Sequence, residues 1–286
     1  MVRVFIVKVN YEICSTPLCY IRRFPDLQWL KKQADSNFAS KGWPDVLLNV
    51  KSGSVFRDNI AGPLSMFSNV SGESFVMVDG RTSRVSNDYF FISNNTQRYT
   101  LEIKSAETLN VHFGTEWKDV EFYNKLYPKD DVLKYLESRL RREITTLEQQ
   151  ELLAHLYTHL LKVNRGEKIK AERISAAKVS TRKEIIRRLH LATDHIYNFY
   201  ADDISLEELS SVSMLSKFHF LRAFKEVFGV PPHKFLNNVR ISKSKELLKK
   251  GIEVSSVGRL VGIAQQSSFS RLFKNETGVY PTFFRK

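Results

Sequence analysis

The period of the apolar positions changes twice along the chain. From Pro63 to Gly114 they come in short runs rich in β-branched and aromatic residues: Leu64–Val70, Ser74–Val78, Tyr89–Ile92, Tyr99–Ile103 and Thr108–Phe113. Breaks fall at Ser71-Gly72, Asp79-Gly80, Asn87-Asp88 and Asn94-Asn95, residue types that favour turns. Short strands at this pitch predict an antiparallel barrel or sandwich. From Asp130 to Val163 the period becomes helical. Val132, Leu133, Leu136 and Leu140 form one face, followed by Leu147, Leu152, Leu153, Leu156, Leu160 and Leu161. Such a leucine-rich pair can pack back on the sheet or form an isologous dimer seam, and the pattern does not choose between them. Residues 165–180 are polar and basic and read as a linker. Thr181 is then expected to cap a helix reaching about Tyr200, with Ile185, Ile186, Leu189, Ile196 and Phe199 buried. The expected class is α+β, divided into 1–128 (β-rich), 129–164 (connecting helices), 165–180 (linker) and 181–286 (all-α).

The last part of the chain is written twice. Phe220, Arg222, Phe224, Lys225, Gly229, Val230 and Pro232 recur 49 residues later as Phe269, Arg271, Phe273, Lys274, Gly278, Val279 and Pro281, and Phe235 and Phe284 keep the offset. Identity held at one spacing marks two copies of one supersecondary unit. Each copy reads as helix, tight turn, helix. The first has a short helix Leu206–Val212 behind Ser205, then a second helix behind Ser216 with Phe220, Phe224, Val227 and Phe228 at helical spacing. The second has Val254, Val257, Leu260 and Val261 as its first face, Gly262 in the turn, and Phe269, Leu272 and Phe273 as its second face. A longer helix, Pro232 to Lys250, joins the copies. Its apolar face is Phe235, Leu236, Val239, Leu247 and Leu248, and Lys234, Arg240, Lys243, Lys245, Lys249 and Lys250 cover the rest. A rigid joining helix would let both second helices enter successive major-groove faces about one turn of DNA apart, roughly 34 Å.

These residues resemble the DNA-binding domain of AraC/XylS transcription regulators. The signatures are Leu209…Ser216-x-x-His219-Phe220-x-Arg222-x-Phe224-Lys225, Gly229-Val230-x-Pro232 and Arg240-Ile241…Leu247-Leu248…Gly251. The most specific stretch is Gly262…Gln266-Ser267-Ser268-Phe269-Ser270-Arg271-x-Phe273-Lys274…Gly278…Pro281…Phe284-Arg285. Departures exist: Ser210, Ser244 and Gly258 stand where the family usually has Ala, and Ile263 where Phe is usual. The resemblance implies two helix-turn-helix units in 181–286 and a cupin-like β-barrel with flanking helices before them, acting as a sensor or dimerisation domain. It implies a sequence-specific regulator that binds promoter or operator DNA and responds to a small-molecule effector. RNA polymerase and a second copy of the chain are further expected partners. The competing readings are a ligand-independent regulator whose N-terminal domain only dimerises or binds a protein, and an enzyme with an appended regulatory DNA domain.

Charge agrees with a polyanionic partner. The chain has 44 Lys and Arg against 31 Asp and Glu. From Thr181 onward there are 18 basic and 10 acidic residues, leaving 26 and 21 in the first 180, so the excess is denser where the repeat lies. No apolar run reaches 18 residues, and Met1 to Asn10 lacks the layout of a signal peptide, so a cytoplasmic protein with no membrane partner is expected. Cys14 and Cys19 are the only cysteines; five residues apart, they could form a disulfide or a redox switch, but read first as free thiols. The strand-rich stretch offers one histidine, His112, and no Ser/His/Asp set or phosphate loop, so no enzyme, metal or cofactor is expected.

The candidate DNA contacts are Lys217, Phe218, Leu221, Arg222 and Lys225 in the first copy, and Gln265, Gln266, Ser267, Ser270, Arg271 and Lys274 in the second, with Arg285 behind them. Arg grips guanine bidentately and Gln pairs with adenine. The resemblance points to Arg222, Gln266, Ser270 and Arg271 for bases, and Lys225, Lys274 and Arg285 for phosphates. Phe220, Phe224, Phe269 and Phe273 are read as core.

Overall fold

Alternation along bent strands builds the first half of the molecule, and helix pairs around phenylalanine build the second. The computed structural model describes residues 4–5, 20–22, 45–51, 60–61, 63–78, 80–94, 98–114, 120–142, 144–175 and 178–284. Cys14, Cys19 and Arg285 lie outside them. The chain divides into two units, Met1–Glu167 and Lys168–Lys286.

In the first unit the described strands are β1 (Val4–Phe5), β2 (Tyr20–Arg22), β3 (Asp45–Lys51), β4 (Ile60–Ala61), β5 (Ser65–Val78), β6 (Arg81–Val85), β7 (Tyr89–Ser93), β8 (Arg98–His112) and β9 (Leu126–Pro128). They form one sheet with the path β1-β3-β8-β5-β7-β9, while β2 joins β3, β4 joins β8 and β6 joins β5. The described pairing ends at β1 on one side and β9 on the other. β3 and β6 are not among the runs the pattern predicts.

Two long strands carry this sheet. β5 and β8 pair from Ser65↔His112 to Val78↔Tyr99. The pattern splits each into two, but β5 continues through Ser71-Gly72. Its register slips there, and Gly72 takes a φ of 70° within the strand, which makes the break a bulge rather than a turn. The strand bends, so Ser65–Ser68 pair with β7 and Ser74–Val78 with β6.

One sheet face is apolar. Leu64, Met66, Phe90, Ile92, Leu109, Val111 and Phe113 pack against α1 (Asp131–Leu140) and α2 (Thr146–Glu172) through Leu133, Leu136, Leu140, Leu153, Leu156, Tyr157 and Leu160. The leucine face thus lies on the chain's own sheet, one of the two arrangements the pattern allows, and is not exposed as a dimer seam. Val132 and Leu147, read as part of it, are exposed. Residues 165–172 of the expected linker continue α2 as helix.

The other face mixes rings with polar groups. Ser65 pairs across with Ser93 and His112, and Phe67 with Phe91. His112 Nδ1 lies 2.8 Å from Ser65 Oγ, with Phe67 and Tyr99 packed beside the ring. Burial pushes the imidazole down to about 3, so it is neutral at pH 7.

Two buried ion pairs flank β9. Lys129 Nζ donates to Asn69 O at 2.7 Å and to Glu137 of α1 at 3.0 Å, and Ser68 Oγ donates to the same carboxylate. Lys125 Nζ meets Glu167 of α2 at 2.8 Å and sits 4.8 Å from the Tyr127 ring centroid. The hydrophobic pattern carries no sign of either pair.

The second unit is helical: α3 (Val179–Phe199), α4 (Leu206–Val212), α5 (Lys217–Phe228), α6 (Pro232–Lys249), α7 (Val254–Leu260), α8 (Gln266–Thr277) and a 3-10 turn, Pro281–Phe283. α3 begins two residues before the expected cap, with Lys178 at its N-cap, and Phe199 at its far end is exposed rather than buried. Ser205 caps α4, its hydroxyl accepting from the Glu208 N–H at 3.0 Å. Gly229 and Gly278 stand at the left-handed C-caps of α5 and α8.

The two helix pairs differ by one residue. α5 and α8 start 49 residues apart, at Lys217 and Gln266, but α4 and α7 start 48 apart, at Leu206 and Val254. The first turn closes with Leu215 N–H donating to Ser210 O at 3.0 Å, and the second with Ile263 N–H donating to Gly258 O at 2.8 Å. The additional residue, Ala264, follows that closure. Met214 at φ 51° therefore corresponds to Gly262 at φ 80°.

α6 serves two cores. Its Phe235 packs edge-on to Phe224 and against Phe228 of α5. Its Ile241 and Leu248 join Val257, Val261, Phe269 and Phe273 in the second core. Leu260, expected in that face, is 50% exposed. Two of the cations on the other faces of α6 are engaged by the fold. Lys243 is buried, and Arg240 donates from Nε to Tyr200 O at 2.7 Å and from Nη2 to Asp202 O at 2.8 Å. Gly258, where the family usually has Ala, leaves no room for a methyl: an added Cβ would stand 2.9 Å from Ile263 O and 3.2 Å from the Phe269 ring.

Candidate nucleic-acid interface

Burying one stripe of each second helix dictates what the opposite stripe presents. α5 points Phe220, Ala223, Phe224 and Val227 inward, and α8 points Phe269 and Phe273 inward. These phenylalanines are fully buried, as read, and burial of each stabilises its pair by about 1.5–3 kcal/mol. The outward stripes follow from the 3.6-residue period. Lys217, Phe218, Arg222 and Lys225 are exposed, with Leu221 half-buried among them. At the same helical positions α8 exposes Gln266, Ser267, Arg271 and Lys274, with Ser270 half-buried. Gln265 is exposed too, but as the N-cap of α8, where its side-chain oxygen accepts from Ser268 Oγ at 2.9 Å.

The two stripes are not chemically equal. Phe218 is 89% exposed, which no packing role explains, and its counterpart on α8 is Ser267. Lys217 is ion-paired with Glu207, holding that carboxyl below its ordinary range. Arg222 Nε donates to Glu226 Oε1 at 3.1 Å. Lys274 Nζ lies 3.1 Å from the hydroxyl of Tyr280 and 4.3 Å from its ring centroid. Tyr280 is exposed, and its hydroxyl accepts from Lys274. Sequence reasoning misses it because Pro231 stands at the same offset in the first copy.

Electropositive side chains on the outward stripes of paired, short-turned helices define a helix-turn-helix DNA-binding domain. Residues 209–286 match the helix-turn-helix domain family. The chain is 33% identical over 96 residues to the probable transcriptional regulator LumQ of Photobacterium leiognathi, covering 33% of this chain and 39% of that protein. It is 24% identical over 206 residues to the uncharacterized HTH-type transcriptional regulator YbfI of Bacillus subtilis, covering 72% and 69%. It is 30% identical over 131 residues to the arabinose operon regulatory protein of Escherichia coli, covering 45% of each. The chain thus matches less than half the length of LumQ and of the arabinose protein. The C-terminal part of this protein carries a helix-turn-helix domain similar to that of these transcriptional regulators.

Proposed function

We propose that the whole protein is a sequence-specific, non-enzymatic transcriptional regulator that binds promoter or operator DNA through two helix-turn-helix units within 181–286. The observation that carries this reading is the doubled outward stripe: the same helical positions on α5 and α8 hold exposed basic and polar side chains while their phenylalanines are buried. Arg222, Gln266, Ser270 and Arg271 read bases. Lys225 and Lys274, with Arg285 beyond the described residues, grip phosphate, and Lys217, Phe218, Leu221, Gln265 and Ser267 complete the surface. Phe218 suits an apolar contact with a thymine methyl.

The N-terminal region 1–128 is read as a cupin-like sensor or dimerisation domain, linked through helices 129–164 and the segment 165–180. Response to a small-molecule effector would need a ligand that binds one arrangement of that region better than another. A specific observation favours the competing, ligand-independent reading. Phe67, Phe91 and Tyr99, on the sheet face turned away from the helices, are each at most 2% exposed, which describes a packed interior. RNA polymerase and a second copy of the chain remain the proposed partners, and the cytoplasm the proposed compartment. No helix among the described residues is long and apolar enough to cross a membrane.

The division between reading and gripping is testable. Arg271→Ala is expected to cost about 1–3 kcal/mol at the preferred site and relax the preference at one or two base pairs. Lys274→Ala is expected to weaken all sequences alike and flatten the salt slope by about one unit. Titrations of preferred and scrambled duplexes at several salt concentrations separate the two. Loss of non-specific affinity alone in both variants would refute the assignment.

A further inference from the structure

Glu226 does more than pair with a neighbouring arginine. Its Oε1 accepts both Arg222 Nε at 3.1 Å and Ser175 Oγ at 3.1 Å, and its Oε2 faces the Ser175 N–H at 3.4 Å. Two residues before Ser175, Arg173 Nη1 donates to Val227 O at 3.4 Å. Arg173 and Ser175, just after α2, are therefore tied to the last turn of α5. Burial pushes the Glu226 carboxyl up, but the hydrogen bonds from Arg222 and Ser175 outweigh it, so the group stays ionised at neutral pH.

Helix stability is a poor reason for this arrangement. An i,i+4 pair with the cation N-terminal to the acid is the weaker orientation, and exposed pairs contribute little. The geometry suits another role. Glu226 holds Arg222 by Nε, which leaves the terminal Nη1 and Nη2 groups, the pair that grips guanine O6 and N7 bidentately. Arg222 is 71% exposed, so without a holder its long side chain would lose rotamer freedom on binding. The second unit has Asn275 four positions after Arg271, one methylene shorter than Glu226 and uncharged.

We propose that Glu226 is a positioning residue that presents Arg222 to a base, and that Ser175 couples the preceding segment to the first reading helix alone. This inference rests on the DNA-reading function proposed above.

The test uses the full chain and duplexes enriched from random DNA by the wild-type protein. Glu226→Ala and Glu226→Gln remove the same charge, so both should bind scrambled DNA slightly better than wild type. Only Gln keeps an oxygen that accepts from Arg222 and Ser175. Glu226→Ala should lose about tenfold of the preference at one base pair, while Glu226→Gln keeps most of it. Ser175→Ala should move the same base pair by about threefold. In an Arg222→Ala background none of the three should change the preference further. Equal preference in Glu226→Ala and wild type, or an effect that persists without Arg222, overturns the positioning role. Failure of the wild type to enrich any motif overturns the DNA-reading function itself. Retained binding to scrambled DNA, with unchanged circular dichroism, separates lost positioning from lost folding, and Ser175→Ala reads the same base pair from outside the helix.

Discussion

Gly262→Ala is expected to destabilise the C-terminal unit by at least about 3 kcal/mol. Two costs combine at this position. Gly262 has a φ of 80°, where an L side chain is strained by roughly 1–2 kcal/mol. Its added Cβ would also stand 2.5 Å from Ala201 O, 2.8 Å from Ala201 C and 3.0 Å from Arg240 Nη2. The first two are backbone atoms and cannot swing away. Arg240 is in turn fixed by the carbonyls of Tyr200 and Asp202. The methyl would therefore wedge the turn of the second pair away from the loop that follows α3. Gly278→Ala is the control, since its φ is also 80° but an added Cβ meets nothing within 4 Å. It should cost only the backbone strain. Urea unfolding followed by far-ultraviolet circular dichroism should show Gly262→Ala well below Gly278→Ala. Equal losses would mean that the contact with Ala201 contributes nothing.

Glu137→Ala should destabilise the N-terminal unit by about 3–5 kcal/mol. Burial pulls the Lys129 ammonium below the ordinary lysine range, and the Glu137 carboxylate pulls it partly back. Removing the carboxylate leaves a buried ammonium facing Asn69 O and an orphaned Ser68 hydroxyl. Replacing both partners removes the penalty with its cause, so Lys129→Met with Glu137→Leu should recover most of the loss. Urea unfolding of the full chain, followed by circular dichroism, reads the loss. A double variant no more stable than Glu137→Ala alone would mean that the pair is not what holds α1.

What the sequence disclosed was what repeats or alternates locally. Phe220 and Phe269 announce their helices because identity at a fixed offset survives any packing detail. The leucines of α1 and α2 announce a helical face, though not what covers it. The one-residue difference at Ala264 is hidden because matching second helices mask a shift in the first ones. Arg240 and Lys243 look no different from the other cations along α6, yet the carbonyls that engage Arg240 come from a loop some forty residues earlier. Gly72 looks like a turn because only pairing with β8 shows that the strand continues through it. The outward residues of α5 and α8 were legible, since they follow from the buried stripe. Their partners Tyr280 and Ser175 were not, because each comes from a neighbouring segment with no period of its own.

The central claim is that two similar units of one chain read DNA together. Enrichment of random duplexes by the full-length wild-type protein tests it most directly. The account predicts a motif in two parts whose centres lie about one helical turn, roughly 10 base pairs, apart. It also predicts that Arg271→Ala blurs one part and Arg222→Ala the other. Enrichment of no motif, or of a single part blurred alike by both variants, would contradict it.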